Sequence, residues 1–217
     1  MLEIHEIFSV PSMQWSQVSW LVLAGLLLTV LTFQTLLNIY TEKKLDYFLP
    51  TRTNVISYIL STAFVLAGYI HLGEVTINFM LVAFAVMILS STALIDVHYQ
   101  ELPNEYNYAL TLLSLLYLGL NVDQYENILI GGIASFLLYL VMAALSAGVG
   151  GGDVKMSFAI GAFIGGHSLL VWLMLTFFTG AIVAIGLLVF KKKSLKYKFA
   201  FGPFMAFSGI YLMLFFI

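Results

Sequence analysis

Apolar stretches long enough to cross a bilayer follow one another along almost the whole chain, and every basic residue falls in alternate gaps between them. A crossing helix needs about 20 mainly apolar residues. The stretches read as Val18–Tyr40, Asn54–Leu72, Val75–Ile95, Glu105–Leu120, Ile128–Ala147, Val154–Gly165, Ser168–Phe190 and Pro203–Ile217. With the N-terminus placed outside, the cytoplasmic gaps are Thr41–Thr53, Asp96–Asn104, Gly148–Lys155 and Lys191–Gly202. They hold Lys43, Lys44, Arg52, Lys155, Lys191, Lys192, Lys193, Lys196 and Lys198, all 9 Lys and Arg of the chain. Cytoplasmic loops carry such an excess, and a miscounted span would scatter the charges over both faces. The pattern predicts an all-α fold, a polytopic helical bundle of about eight transmembrane helices with its N-terminus outside.

Composition narrows the function classes. Of the 217 residues 61% are hydrophobic and 9% charged, against roughly 25% charged in a soluble domain, so the lipid bilayer is the first partner. A net charge of -2 with no extended basic stripe argues against nucleic acid. With 0 cysteines there is no disulfide, thiolate zinc site or cysteine nucleophile. The segment Met1–Gln17 carries Glu3 and Glu6 but no Lys or Arg, so a cleaved signal peptide is not expected. No repeat or linker divides the chain, and 1–217 reads as one membrane-embedded domain.

One gap stands out chemically. Gly148-Val149-Gly150-Gly151-Gly152-Asp153-Val154-Lys155 places a carboxylate and an ammonium at a membrane edge, where an ionisable group marks a candidate site and needs a partner. The same topology puts Asp96 at the cytoplasmic end of the third stretch, at similar depth. Two carboxylates that meet away from bulk water are the parts of an aspartyl protease. Held a few ångströms apart they cannot both ionise, so the pair keeps one proton. The ionised member then activates water and the protonated member donates to the scissile carbonyl. The two titrate as a unit, so neither role belongs to a particular residue at this stage.

Three motifs now appear in order. The first is Asp96 followed by Leu102-Pro103-Asn104. The second is Gly150-Gly151-Gly152-Asp153 with Val154-Lys155-Met156 behind it, and the third is Phe201-Gly202-Pro203-Phe204. Together they resemble the type IV prepilin peptidase family, membrane aspartyl proteases with a Gly-x-Gly-Asp signature, over Leu72–Ile217. The resemblance implies that Asp96 and Asp153 are the catalytic pair. It also implies that Gly150, Gly152, Lys155, Leu102, Pro103, Asn104, Gly202 and Pro203 shape the site or bind substrate. The implied substrates are type IV prepilins or pilin-like proteins of secretion and DNA-uptake machines, whose basic leader is removed after a glycine at the cytoplasmic face. Many members also N-methylate the new terminus with S-adenosylmethionine. The first part of the chain, 1–53, departs from the pattern. Bacterial members commonly carry a Cys-x-x-Cys metal-binding domain after the first span, whereas Thr41–Thr53 is short and cysteine-free. The first-helix signature Gly-Ser-Phe-Leu-Asn is only echoed in Thr35-Leu36-Leu37-Asn38. No metal is therefore expected, proteolysis needs no cofactor, and S-adenosylmethionine enters only if methyl transfer is retained.

Other readings compete for the same residues. Gly148-x-x-x-Gly152 and Gly161-x-x-x-Gly165 both have small-residue helix-packing spacing, and for the second pair packing is the favoured reading. The glycine run does not meet Gly-x-x-x-x-Gly-Lys-Ser/Thr, and no strand precedes it, so it is not a phosphate loop. His98 and His167 lack a ligand set. Glu101 and Glu105 are interfacial, and either could tune the acid pair or meet a basic leader. Lys191–Lys198 reads as a topology determinant and headgroup anchor. A small ion- or proton-coupled transporter using Asp96 and Asp153 as a cation site is the alternative. That reading predicts acids near the midplane and paired broken repeats, whereas both acids here sit at one face.

Overall fold

The computed structural model describes residues 51–72, 75–145, 149–190 and 200–216, together with 23–25, 27–28, 31–32, 34–35, 38–39 and 42 of an earlier helical stretch. Every regular element among the described residues is helical. We number them α1 (Thr51–Leu72), α2 (Ile77–Tyr99), α3 (Asn104–Leu120), α4 (Tyr125–Leu145), α5 (Gly151–Phe190) and α6 (Gly202–Phe215), with a 3-10 turn at Val122–Gln124 before α4. Helices satisfy their backbone groups internally, which an environment without water demands. Thr53–Leu72, Ile77–Tyr99, Val122–Leu145 and Gly151–Phe190 are each long and apolar enough to cross a membrane. Large apolar side chains such as Ile70, Leu116, Val141, Leu170, Met174 and Phe178 point outward, as they do when the solvent is lipid. The protein is a multi-pass, all-helical membrane protein.

The eight stretches map unevenly onto these helices. α5 takes in both the sixth and the seventh, because it breaks at Gly165 (φ 73, ψ 168) into two limbs. α3 and α6, at 17 and 14 residues, are too short to count as spans on length. Most of the first stretch, and the basic positions Lys43, Lys44 and Lys191–Lys198, lie outside the described residues.

Three expected boundaries are corrected by the structure. α1 starts at Thr51 rather than Asn54, α5 starts at Gly151 rather than Val154, and α2 continues past Ile95 to Tyr99. Asp96 therefore sits in a helical turn and not in a polar loop. Apolar patterning marks what lipid and core cover, and a helix runs on past that cover wherever its ends are capped. The end of α2 is capped by Gln100, a non-glycine residue in the left-handed region (φ 55, ψ 34), whose N–H returns to the Asp96 carbonyl at 2.8 Å. At its other end the Thr76 hydroxyl accepts from the Phe79 N–H at 3.1 Å.

α2 is the central element. Val86, Met87, Ile88, Leu89 and Ile95 are buried along it, and it packs against α1, α3 and α6. α4 lies along the first limb of α5 with almost no separation at Gly131 and Gly161, where an added Cβ on either would run into the other's backbone. One turn further, Ser135 Oγ donates to the Ser157 carbonyl at 2.8 Å. This is the packing expected of the Gly161 pair. The second limb of α5 is tied to α6 by Thr176 Oγ1 and Ser208 Oγ at 2.5 Å, and by Trp172 Nε1 donating to the Met205 carbonyl at 3.1 Å. At the end of the bundle away from Asp96, Asn78 and Asn121 exchange amide hydrogen bonds of 2.8 and 3.1 Å between α2 and α3.

Candidate active site

Asp96 and Asp153 line a single cavity of about 410 Å³ together with Gln100, Glu101, Leu102, Pro103, Asn104, Glu105, Gly150, Gly151 and Gly152. Both acids are buried, at 5% and 7% exposure, in positions where an unpartnered charge is costly. Each is held by one backbone amide at the start of a helix.

Asp96 occupies the last turn of α2, and its Oδ2 accepts the Gly202 N–H at 2.9 Å. That amide is free because first-turn N–H groups have no partner within their own helix, and the neighbouring Pro203 has no N–H to compete. Gly202 is required by space as well: a Cβ there would lie 2.7 Å from Asp96 Oδ2. The Phe-Gly-Pro-Phe motif thus opens α6 on the first acid.

Asp153 is the third residue of α5, and its Oδ2 accepts the Gly150 N–H at 2.9 Å. This is the acidic half of a capping box, in which a side chain three residues into a helix reaches back to the residue that caps it. The glycine run is consequently helix start and not open loop from Gly151 onward. Oδ1 of Asp153 is buried with no hydrogen-bond partner among the described residues.

The middle motif closes the wall. Pro103 precedes α3 in extended geometry (φ -59, ψ 135). Leu102 packs so close to Gly152 that a Cβ on the glycine would fall 2.6 Å from the leucine Cβ. Lys155 Nζ donates to Asn104 Oδ1 at 2.6 Å and lies 5.9 Å from the centre of the Tyr108 ring. Asn107, unremarked in the sequence, is buried one turn into α3 and donates to the Gly152 carbonyl at 3.4 Å. Its i+3 spacing from Asn104 was the available signal. The structure brings together all ten residues singled out from the three motifs. Glu101 and Glu105 also face the cavity, whose lining among the described residues contains no Lys or Arg.

The two histidines lie elsewhere. His98 bonds the Leu94 carbonyl (2.9 Å) and Thr53 Oγ1 (3.3 Å), and His167 Nδ1 meets Asn127 Oδ1 at 2.6 Å. A second cavity of about 450 Å³ opens at the far end of α2, lined by Asn78, Asn121, Asn127 and His167 among mostly apolar neighbours. Among the described residues its lining carries no carboxylate, and an adjoining cavity of about 750 Å³ is lined by Asp123 and Glu126.

Residues 81–185 match the type IV leader peptidase family. A prepilin leader peptidase/N-methyltransferase of Legionella pneumophila is 30% identical over 167 residues, covering 71% of this chain and 56% of that protein. Proteins of the same name from Aeromonas salmonicida (strain A449) and Aeromonas hydrophila are 35% and 34% identical over 86 residues, covering 37% of this chain and 30% of theirs. The chain thus matches about half, or less, of the length of these relatives. No solved structure matches it.

Proposed function

We propose that this chain, which belongs to the type IV leader peptidase family, is a membrane aspartyl endopeptidase that removes the leader of a prepilin or pilin-like protein at the cytoplasmic face of the inner membrane. The observation that carries the reading is the pair of buried carboxylates on one cavity wall, each gripped through a single oxygen by a helix-start amide. That grip leaves the second oxygen of each acid for chemistry.

In the proposed reaction one acid is protonated and the other ionised. The carboxylate takes a proton from water as the water oxygen bonds to the scissile carbonyl carbon. The protonated acid gives its proton to the carbonyl oxygen, and the tetrahedral diol collapses with a proton passing to the departing amine. Helix ends suggest which acid is which. Asp153 lies in the first turn of its own helix, at the positive start of α5, whereas Asp96 sits between the positive start of α6 and the negative end of its own α2. We therefore place the negative charge on Asp153 and the shared proton on Asp96. A substrate helix lying in the bilayer would bring its cytoplasmic end to this cavity, with Glu101 and Glu105 beside the basic leader.

The relatives' name also includes an N-methyltransferase, and methylation with S-adenosylmethionine is a second activity to be read in the same assay. The test is co-expression with a model prepilin, alone and with Asp96→Asn or Asp153→Asn, followed by mass spectrometry of the substrate. Leader loss with the native chain and none with either variant is expected. A fully active single variant would refute the paired-acid mechanism, and a mass gain of one methyl group on the new terminus would assign the second activity.

A further inference from the structure

The Tyr139 hydroxyl is one of the buried polar groups that the two-acid scheme leaves unused. Tyr139, on α4, is 0% exposed, and its hydroxyl has no hydrogen-bond partner among the described residues. Burying an unpartnered hydroxyl costs free energy, and phenylalanine would fill the same space without that cost.

The place of Tyr139 follows from the helix register. α4 and the first limb of α5 run antiparallel, with Gly131 against Gly161 and Ser135 against Ser157. Residues four apart share a helix face, so one more step along each helix brings Tyr139 level with Asp153. Its ring packs on Trp172 (centroids 5.6 Å apart) and on Phe201 (6.4 Å), the residue just before the amide that holds Asp96. The Tyr139 ring therefore joins the packing next to the Gly202 amide while its helix position is level with Asp153. The Asp153 oxygen left without a partner, Oδ1, is a buried acceptor, and the tyrosine hydroxyl is a buried donor.

We propose that Tyr139 is a positioning residue for Asp153: with substrate bound, its hydroxyl donates to one lone pair of Oδ1, directly or across one water, leaves the other lone pair to take the proton from the attacking water, and fixes that carboxylate as the base. The proposal rests on the aspartyl peptidase reading above. It gives the buried hydroxyl its missing acceptor, and it explains why a polar tip persists in a face otherwise made of glycine, serine and aromatic rings. It also adds a second reason, beside the helix ends, for the negative charge to reside on Asp153.

Tyr139→Phe separates this role from packing, because it keeps the ring and removes only the hydroxyl. If the hydroxyl is a passenger in an aromatic cluster, its removal relieves an unpartnered group, raises stability and leaves the rate alone. The full chain, Tyr139→Phe and Asp153→Asn are purified in detergent and assayed on one prepilin, with kcat, KM and the thermal midpoint recorded for each. The expected result for Tyr139→Phe is a midpoint at or above wild type, an unchanged KM and a kcat lower by roughly 10- to 100-fold, the range for a lost hydrogen bond to a charged group. A wild-type kcat overturns the proposal. So does a lowered midpoint, which would mean the hydroxyl is already satisfied within the fold, and so does an effect confined to KM. A wild-type chain that leaves the prepilin intact overturns the peptidase reading and this one with it. Cleavage by wild type, none by Asp153→Asn and full rate in Tyr139→Phe overturn only the inference about Tyr139.

Discussion

Gly202→Ala is a one-carbon change whose consequence can be worked from the geometry. The added Cβ would lie 2.7 Å from Asp96 Oδ2 and 3.2 Å from its Cγ. Ordinary van der Waals contact begins near 3.4 Å, so the carboxylate must retreat by about 0.7 Å or the start of α6 must lift away. Either movement stretches the 2.9 Å bond from the Gly202 N–H, the amide that holds Asp96. Misplacing a reacting group by about 1 Å can cost on the order of 100-fold in rate, and a displacement of this size is expected to lower kcat by about 30- to 100-fold. Stability should fall only modestly, because the preference of helices for alanine over glycine, up to ~1 kcal/mol, offsets part of what the stretched bond costs. Single-turnover cleavage of a prepilin, read beside a thermal melt in the same detergent, measures both. A variant that melts normally and cleaves at the native rate would show that Asp96 does not need its present position, and the argument from the Gly202 amide would fall.

Two further outcomes follow from the same wall. Gly152→Ala puts a Cβ 2.6 Å from the Leu102 Cβ, a backbone-anchored atom that cannot swing aside. It should prise α3 from the start of α5 and reduce both the amount of folded protein and the rate, read by detergent-stable yield and prepilin cleavage. Lys155→Ala removes the 2.6 Å bond to Asn104 from an exposed side chain. An exposed tether of this kind is expected to change the rate by only roughly two- to fivefold. A complete loss of cleavage in Lys155→Ala would instead place the ammonium in the reaction.

Much of the site was legible because its chemistry is written in residue types that lipid-facing helices otherwise exclude. A carboxylate at a membrane edge, glycines beside it and a proline opening the last helix are each anomalous in apolar sequence, and three such anomalies at one face point to one place. Helix boundaries were less legible. Asp96 and His98 look like a loop when polarity is the guide, yet His98 bonds the Leu94 carbonyl and Gln100 caps the end, so the helix continues to Tyr99. Likewise Gly151 and Gly152 look like a flexible run, but the return bond from Asp153 to Gly150 makes them a first helical turn. Tyr139 was hidden for a different reason. In sequence it is one of two aromatic residues in Ile128–Ala147, beside Phe136, and its meaning depends on register with another helix. The trace it leaves is the step of four through Gly131, Ser135 and Tyr139, matched by Asp153, Ser157 and Gly161. Span counting was limited by geometry, since the break at Gly165 folds two stretches into one helical element.

Both acids are gripped by main-chain N–H groups and, among the described residues, by no side chain. Every residue except proline carries such a group, so the grip does not depend on what the neighbouring side chains are. It depends on the space they leave. A site made this way tolerates wide drift in the surrounding sequence, provided nothing grows into the gap at Gly202 or Gly152. It is correspondingly intolerant of the smallest possible addition there, a single methyl group. For engineering, this divides the chain unequally. The lipid-facing positions are open to redesign by volume and apolarity, while at the site two hydrogen atoms, one on each of those glycine α-carbons, have no substitute.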